Sequence, residues 1–230
     1  MAPLSRDWIP LTEEEGLGRG PGDTFQEQVA DAIVANLGGY IAGRGGAGKS
    51  HVIKLLREKF AARGYEVHCV AFTHVASQNV EGNTILHELH RFIKGKRRAI
   101  VVDESSMMPL SMWAALANLK FAGNVLVVLG DVDGQFLPIE DQTREWMLKG
   151  LDQTPFMHDL VNGLHVTLRK YRRGTDVGHY QFVGSLYPSL GLSLPAALEK
   201  ARAEYPAHRG DFLGTTLCIS HFKRMDLIGG

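Results

Sequence analysis

Short, continuously apolar stretches alternate along this chain with longer stretches whose apolar residues recur every three or four positions. Tyr40-Ile41-Ala42, Glu66 to Thr73, Ala99 to Asp103, Asn124 to Asp131, Leu164 to Leu168 and Thr215 to Ser220 are β-branched, aromatic or aliphatic runs, and each is a predicted strand. Helical spacing marks Thr24 to Asn36, His51 to Arg63, the later part of Val75 to Ile93, Pro109 to Phe121, Pro155 to Gly163, Asp176 to Leu186 and Leu194 to Tyr205. In the first of these Phe25, Val29, Ile33 and Val34 share a face, with Thr24 as the N-cap; Pro109 sits near the first turn of another. Strands that are apolar throughout and alternate with helices predict an α/β fold, a parallel sheet with helices on both faces. Met1 to Asp23 is rich in Pro, Gly and Glu without periodicity and is expected to be a flexible leader.

Composition narrows this picture. With 230 residues and 44% apolar content the chain suits one α/β domain, or one domain with an appendage. Formal net charge is zero, so bulk electrostatics favour no nucleic-acid partner, and any such binding has to come from local basic patches. The two cysteines, Cys69 and Cys218, lie in apolar strand-like runs and read as buried free thiols of a reducing compartment. There is no signal peptide and no apolar run near the ~20 residues of a membrane span. The expectation is a soluble intracellular protein without a membrane partner, with nucleus and cytoplasm both open.

The chemistry begins at Gly43-Arg44-Gly45-Gly46-Ala47-Gly48-Lys49-Ser50, which satisfies G-x-x-x-x-G-K-[ST] between a predicted strand and a predicted helix. Its glycines let the backbone pass close to a polyphosphate, with N–H groups directed inward at a helix start. Lys49 places a compact charge on the phosphates, and the Ser50 hydroxyl can bind magnesium. A glycine-rich turn that meets the pattern by chance is the competing reading, and the flanking strand and helix count against it. Four apolar residues then carry Asp103 to a strand's carboxyl end, where open α/β sheets bind ligands. Asp103 can hold magnesium through water, and Glu104 can orient and deprotonate a hydrolytic water. Alone, such a string is more often a strand end with a solvated acid. After a phosphate loop it makes a nucleoside-triphosphatase the leading reading.

Other stretches carry weaker signals. Gly130-Asp131 with Gln135 and Pro138 follows a third buried strand, so Gln135 can sense a terminal phosphate; an ordinary turn at Asp133-Gly134 is the alternative. His87-Glu88-Leu89-His90 lacks the i, i+4 histidines of a zinc protease and reads as a helix face. Lys94 to Arg98 and Arg169 to Arg173 read as solvated basic faces, with phosphate or nucleic-acid contact open for the cluster that contains Tyr171. Met107, Met108, Met112 and Trp113 read as core packing.

Taken in order, AGRGGAGKS, VAFTHVAS with GNTILH, IVVDESSM and VLGDVDGQFLPI resemble the first motor domain of superfamily 1 helicases, closest to the 5′-to-3′ branch of PIF-type, Dda-like and RecD-like enzymes. The resemblance runs from about Gln28 to Pro138 and implies a RecA-like P-loop NTPase fold over residues 24–214, with ATP, magnesium and single-stranded DNA as ligands. It implies that Gln28 reads adenine, with Gln26 as the alternative, and that Lys49 and Ser50 bind phosphate and magnesium. Asp103 and Glu104 become the magnesium and water residues, Gln135 the γ-phosphate sensor and Arg172, in LRKYRRGTD, the arginine that closes on the γ-phosphate. Thr73, His74, Ser77, Thr84 and His87 fall on the segment that touches DNA.

Two departures stand out: His74 replaces a glycine of the DNA-contacting segment, and one extra residue separates Asp131 from Gln135. LCISHFKRM resembles the entry to a second motor domain, so residues 215–230 are expected to be its truncated start. By this reading the chain alone does not unwind DNA, because translocation needs two such domains. A stand-alone P-loop ATPase and a nucleotide-dependent binding module stay open beside the helicase.

Overall fold

A computed structural model of the chain describes residues 7–18, 23–72, 77, 82–85, 97–131, 150–186 and 193–204. Thr73, His74, His87, Gln135, Pro138, Cys218 and the stretch 215–230 lie outside the described residues. The chain divides into two compact units, 1–189 and 190–230; the described part of the second contains one helix, Leu194–Glu204.

The first unit is built on a seven-stranded sheet. In chain order its strands are β1 (Ile9–Thr12), β3 (Gly38–Gly43), β4 (Glu66–Ala71), β5 (Asn83–Thr84), β6 (Arg98–Asp103), β7 (Val125–Gly130) and β8 (Leu164–Leu168). A two-residue β2 (Gly16–Leu17) pairs separately with β9 (Lys170–Tyr171). The spatial order β1-β8-β3-β7-β6-β4-β5 is parallel at every pairing. Parallel neighbours need long crossovers, and here helices supply them.

Alternation along the strands builds two cores. Ile41, Val101, Val127 and Leu129 face α1 (Phe25–Asn36) and α2 (Lys49–Ala62), which add Val29, Ile33, Leu56 and Phe60. Tyr40, Ile100, Val102, Leu126 and Val128 face the other way, onto α3 (Leu110–Phe121) and α4 (Pro155–Leu160). Helices therefore cover both faces, as the fully apolar strands require. Met108, Met112 and Trp113 are buried in the second core, whereas Met107 is only half-buried, and Cys69 is a buried free thiol in the first.

The amino-terminal segment departs from expectation. Residues 9–17 are not a free leader: β1 adds to the sheet edge beside β8, and the N–H groups of Ile9 and Glu13 donate to the Gly163 and Thr167 carbonyls at 2.8 and 2.9 Å. Capping differs too. Thr24 occupies the N-cap of α1 but makes no side-chain cap bond; its Oγ1 accepts instead from Gln28 Nε2 at 3.1 Å. At α4, Thr154 does cap, accepting from the Met157 N–H at 3.2 Å.

Candidate functional site

The registers place the chemistry on one edge of the sheet. β3 delivers Gly43, β7 delivers Gly130 and Asp131, and β6 delivers Asp103, all at carboxyl ends of adjacent parallel strands. The loop from Gly43 to Lys49 spans β3 and α2, and two of its glycines adopt left-handed backbone, Gly46 at φ +90° and Gly48 at φ +96°. A side chain at either would also be blocked: a Cβ on Gly46 would stand 2.8 Å from the Tyr171 ring, and one on Gly48 2.4 Å from Gln26 Nε2. Glycine is therefore required here by both backbone and space.

The loop forms the wall of a cavity of about 600 Å³, which Gln26, Lys49, Ser50, Asp103, Glu104 and Arg173 also line. Lys49 Nζ donates to the Gly43 carbonyl and, at 3.4 Å, to that of Arg44. Burial pushes the Lys49 ammonium below its usual value, while the Asp131 and Asp103 carboxylates pull the other way. Asp103 is nearly buried, and burial raises its carboxyl above the usual range against the Glu104 N–H bond (2.9 Å) and the charge of Lys49. Both groups are held where their charges are costly in the absence of a partner. Glu104 has φ +52°, a strained conformation for a non-glycine, immediately after the β6 strand end. Beside it, the Asp131 N–H donates to Ser106 Oγ at 3.2 Å, which ties the ends of β6 and β7 together.

Three sequence expectations change in detail. The glutamine at the loop is Gln26, which is buried and donates from Nε2 to the Gly48 carbonyl at 2.9 Å, whereas Gln28 turns away to Thr24. The helical period explains the choice, since Gln26 shares its buried face with Val29, Ala30 and Ile33. Of the expected DNA-contacting residues, Ser77 is buried rather than presented, and Thr84 pairs with Ala71 beside the carboxyl end of β4. The basic clusters are not wholly solvated faces. Arg98 is buried in β6, 3.7 Å from Glu66 Oε2, and Arg172 is buried as well.

Arg172 lies in a cluster that sequence reasoning did not assemble. Its guanidinium bonds both carboxylate oxygens of Glu13, both of Asp23, and the Ala47 carbonyl of the loop at 2.9 Å. Glu13 Oε2 also accepts from the N–H groups of Arg169 (2.9 Å) and Lys170 (3.0 Å). Burial pushes the Asp23 carboxyl up, but the bonds and charge of Arg172 outweigh it and hold it below the usual value. The short alternation Ile9-Pro10-Leu11-Thr12 was the only sequence signal for this strap, and four residues are too few to distinguish a strand from a loop. Tyr171 lies over Gly46 and stacks on Tyr180 at a 4.4 Å centroid separation, joining the loop to α5 (Val177–Ser185). Among the described residues no cluster of His, Cys, Asp and Glu forms a metal site, and no helix is long and apolar enough to cross a membrane.

A phosphate-type loop after one parallel strand and an Asp-Glu pair closing another define a P-loop NTPase domain of RecA-like architecture. The AAA domain family matches residues 23–149, more than half of the chain, and the chain belongs to that family. It is similar to the ATP-dependent DNA helicase PIF1 of Trypanosoma brucei brucei, 27% identical over 125 residues that cover 46% of this chain and 14% of that protein. In structure it is similar to the Pif1 helicase of Candida albicans (21% identity, TM-score 0.57, covering 81% of this chain and 48% of that one). It is likewise similar to the Bacteroides Pif1 helicase in complex with ADP-AlF3 and ssDNA (16% identity, TM-score 0.59, covering 88% and 55%). The chain thus spans about half of those structures and a small part of the curated relative, and the shared fold is that of the Pif1-type helicases.

Proposed function

We propose that this chain is the ATP-binding and hydrolysing domain of an ATP-dependent DNA helicase, whose turnover drives movement along single-stranded DNA in the full-length enzyme. The observation that carries the proposal is the convergence of Lys49, Ser50, Asp103 and Glu104 on one loop-walled cavity. The residues fit a magnesium nucleotide: left-handed glycines open the loop backbone, and a raised carboxyl faces a lowered ammonium that an ion and a polyphosphate would relieve. Lys49 binds the phosphate chain, and Ser50 with Asp103 would hold the magnesium, which when bound offsets the charge on the phosphates. Glu104 orients the attacking water and takes its proton.

Gln135, four positions after Asp131 in the sequence, is assigned the sensing of the terminal phosphate. Gln26 replaces Gln28 as the adenine-side glutamine. The DNA surface is assigned to the segment containing Thr73, His74, Thr84 and His87, with Ser77 buried within it; the relative solved with ADP-AlF3 and ssDNA supports both ligands. Translocation also requires a second domain that closes over the nucleotide.

ATP hydrolysis measured with and without single-stranded DNA tests the proposal. DNA-stimulated turnover that Lys49→Ala abolishes is the expected result. Turnover indifferent to DNA would instead mean a stand-alone ATPase, and binding without turnover a nucleotide-dependent module.

A further inference from the structure

The turn that carries Glu104 is joined to the neighbouring strand by a side chain that does not line the cavity. Glu104 itself does line it, and its backbone is left-handed at φ +52°. A non-glycine residue stays in that region only where its surroundings over-determine it. The Glu104 N–H donates to Asp103 Oδ1 at 2.9 Å, and its carbonyl accepts from the Met107 N–H at 3.3 Å. The Ser105 carbonyl accepts from the Met108 N–H at 3.1 Å, and Met108 is fully buried in the second core. These bonds close the turn, Ser105–Met107, on itself and on β6.

Ser106 supplies the link across to β7. Its Oγ accepts from the Asp131 N–H at 3.2 Å. The two strand ends meet there with no room for a side chain between them. A Cβ on Gly130 would stand 2.7 Å from Ser105 Oγ, 3.0 Å from the Tyr40 hydroxyl and 3.1 Å from Ser106 Oγ. Asp131 is nearly buried, and its carboxylate acts on the Lys49 ammonium. One hydroxyl thus connects the turn bearing Glu104 to the strand end whose charge Lys49 feels.

We propose that Ser106 is a positioning residue for hydrolysis: its bond to the Asp131 N–H holds the turn that aims the Glu104 carboxylate at the attacking water. The inference rests on the nucleotide reading of the cavity, with Glu104 as the base. In that step the water oxygen bonds the terminal phosphorus as the bridging P–O bond breaks. The departing diphosphate oxygen keeps the electron pair, and the proton of the water passes to Glu104. A base acts only within hydrogen-bond reach of that proton, and a misplacement of about 1 Å costs on the order of a hundredfold. Because Ser106 does not line the cavity, its loss acts on the chemical step and not on nucleotide binding.

Steady-state ATP hydrolysis by the whole chain, with magnesium and single-stranded DNA, tests this beside magnesium-ATP affinity and the melting temperature. Ser106→Ala is expected to lower kcat about tenfold, with KM and affinity within about twofold of native. Ser106→Cys, which leaves no void but is a poor acceptor, is expected to lose kcat in the same way. Ser106→Thr, which keeps the hydroxyl, is expected to restore most of it. Native kcat in both Ser106→Ala and Ser106→Cys overturns the inference, and so does an equal loss in Ser106→Thr. A lowered melting temperature with kcat per folded molecule unchanged shows a purely structural role and overturns it too, as does an affinity that falls in step with kcat. A native chain that binds magnesium-ATP without turnover overturns the inference and leaves nucleotide binding in place; one that does not bind it removes both.

Discussion

At the scale of residues, one buried cation holds two amino-terminal carboxylates that lie about 150 positions before it in the sequence. Glu13 arrives from the amino-terminal strap, Asp23 from the approach to α1, and Arg172 from the segment after β8, and the guanidinium also grips the loop at Ala47. Ion pairs on a surface contribute little, but breaking a buried one strands a charge and costs about 3–5 kcal/mol. The pH dependence follows from Asp23. Its folded carboxyl titrates below the unfolded value of 3.8, so its contribution is full above that value and is lost as the pH falls through the folded value. Urea unfolding of native protein and Asp23→Asn between about pH 6 and pH 3 checks this. The stability gap between the two should be constant above 3.8 and close below it; a gap that persists undiminished contradicts the assignment.

At the scale of elements, the amino-terminal strap supports the site from the sheet's edge. β1 covers β8, and Leu11 packs onto the first core. Without it β8 becomes an open edge with unpaired backbone groups, a template for association between chains. Deletion of residues 1–18 should therefore lower unfolding stability and raise light scattering on mild heating. A deletion variant that melts and scatters light like the native protein would show the strap to be dispensable. The helices and inner strands were legible in the sequence because their periodicity reports burial directly. The strap was not legible, since its four residues carry one half-buried leucine and an exposed isoleucine, and its partner lies over 150 positions away.

For the whole molecule, the parallel sheet brings separate motifs to a common edge without any contact between them in sequence. Loop, Asp-Glu pair and Gly-Asp pair meet because β3, β7 and β6 are neighbours in register. Ligand binding at that edge should stabilise the fold by mass action, by about 2.7 kcal/mol at a hundredfold excess over Kd. In a chain of this size that corresponds to a rise of about 5–10 °C in melting temperature. Magnesium-ATP should produce the shift in native protein and not in Lys49→Ala, as differential scanning fluorimetry can show; an unchanged melting curve at millimolar nucleotide excludes the site.

The sequence by itself determined the layered α/β fold, the loop from Gly43 to Ser50 and the Asp103-Glu104 pair. Each of these is local: glycines where the backbone must turn left-handed, and apolar runs that end in acid. Only the tertiary structure decided which glutamine meets the loop, which arginine is spent on carboxylates and which segment guards the edge. Those outcomes depend on the face a helix buries and on charges that meet across more than a hundred residues, and adjacent positions in a sequence look alike until one is buried and the other is not.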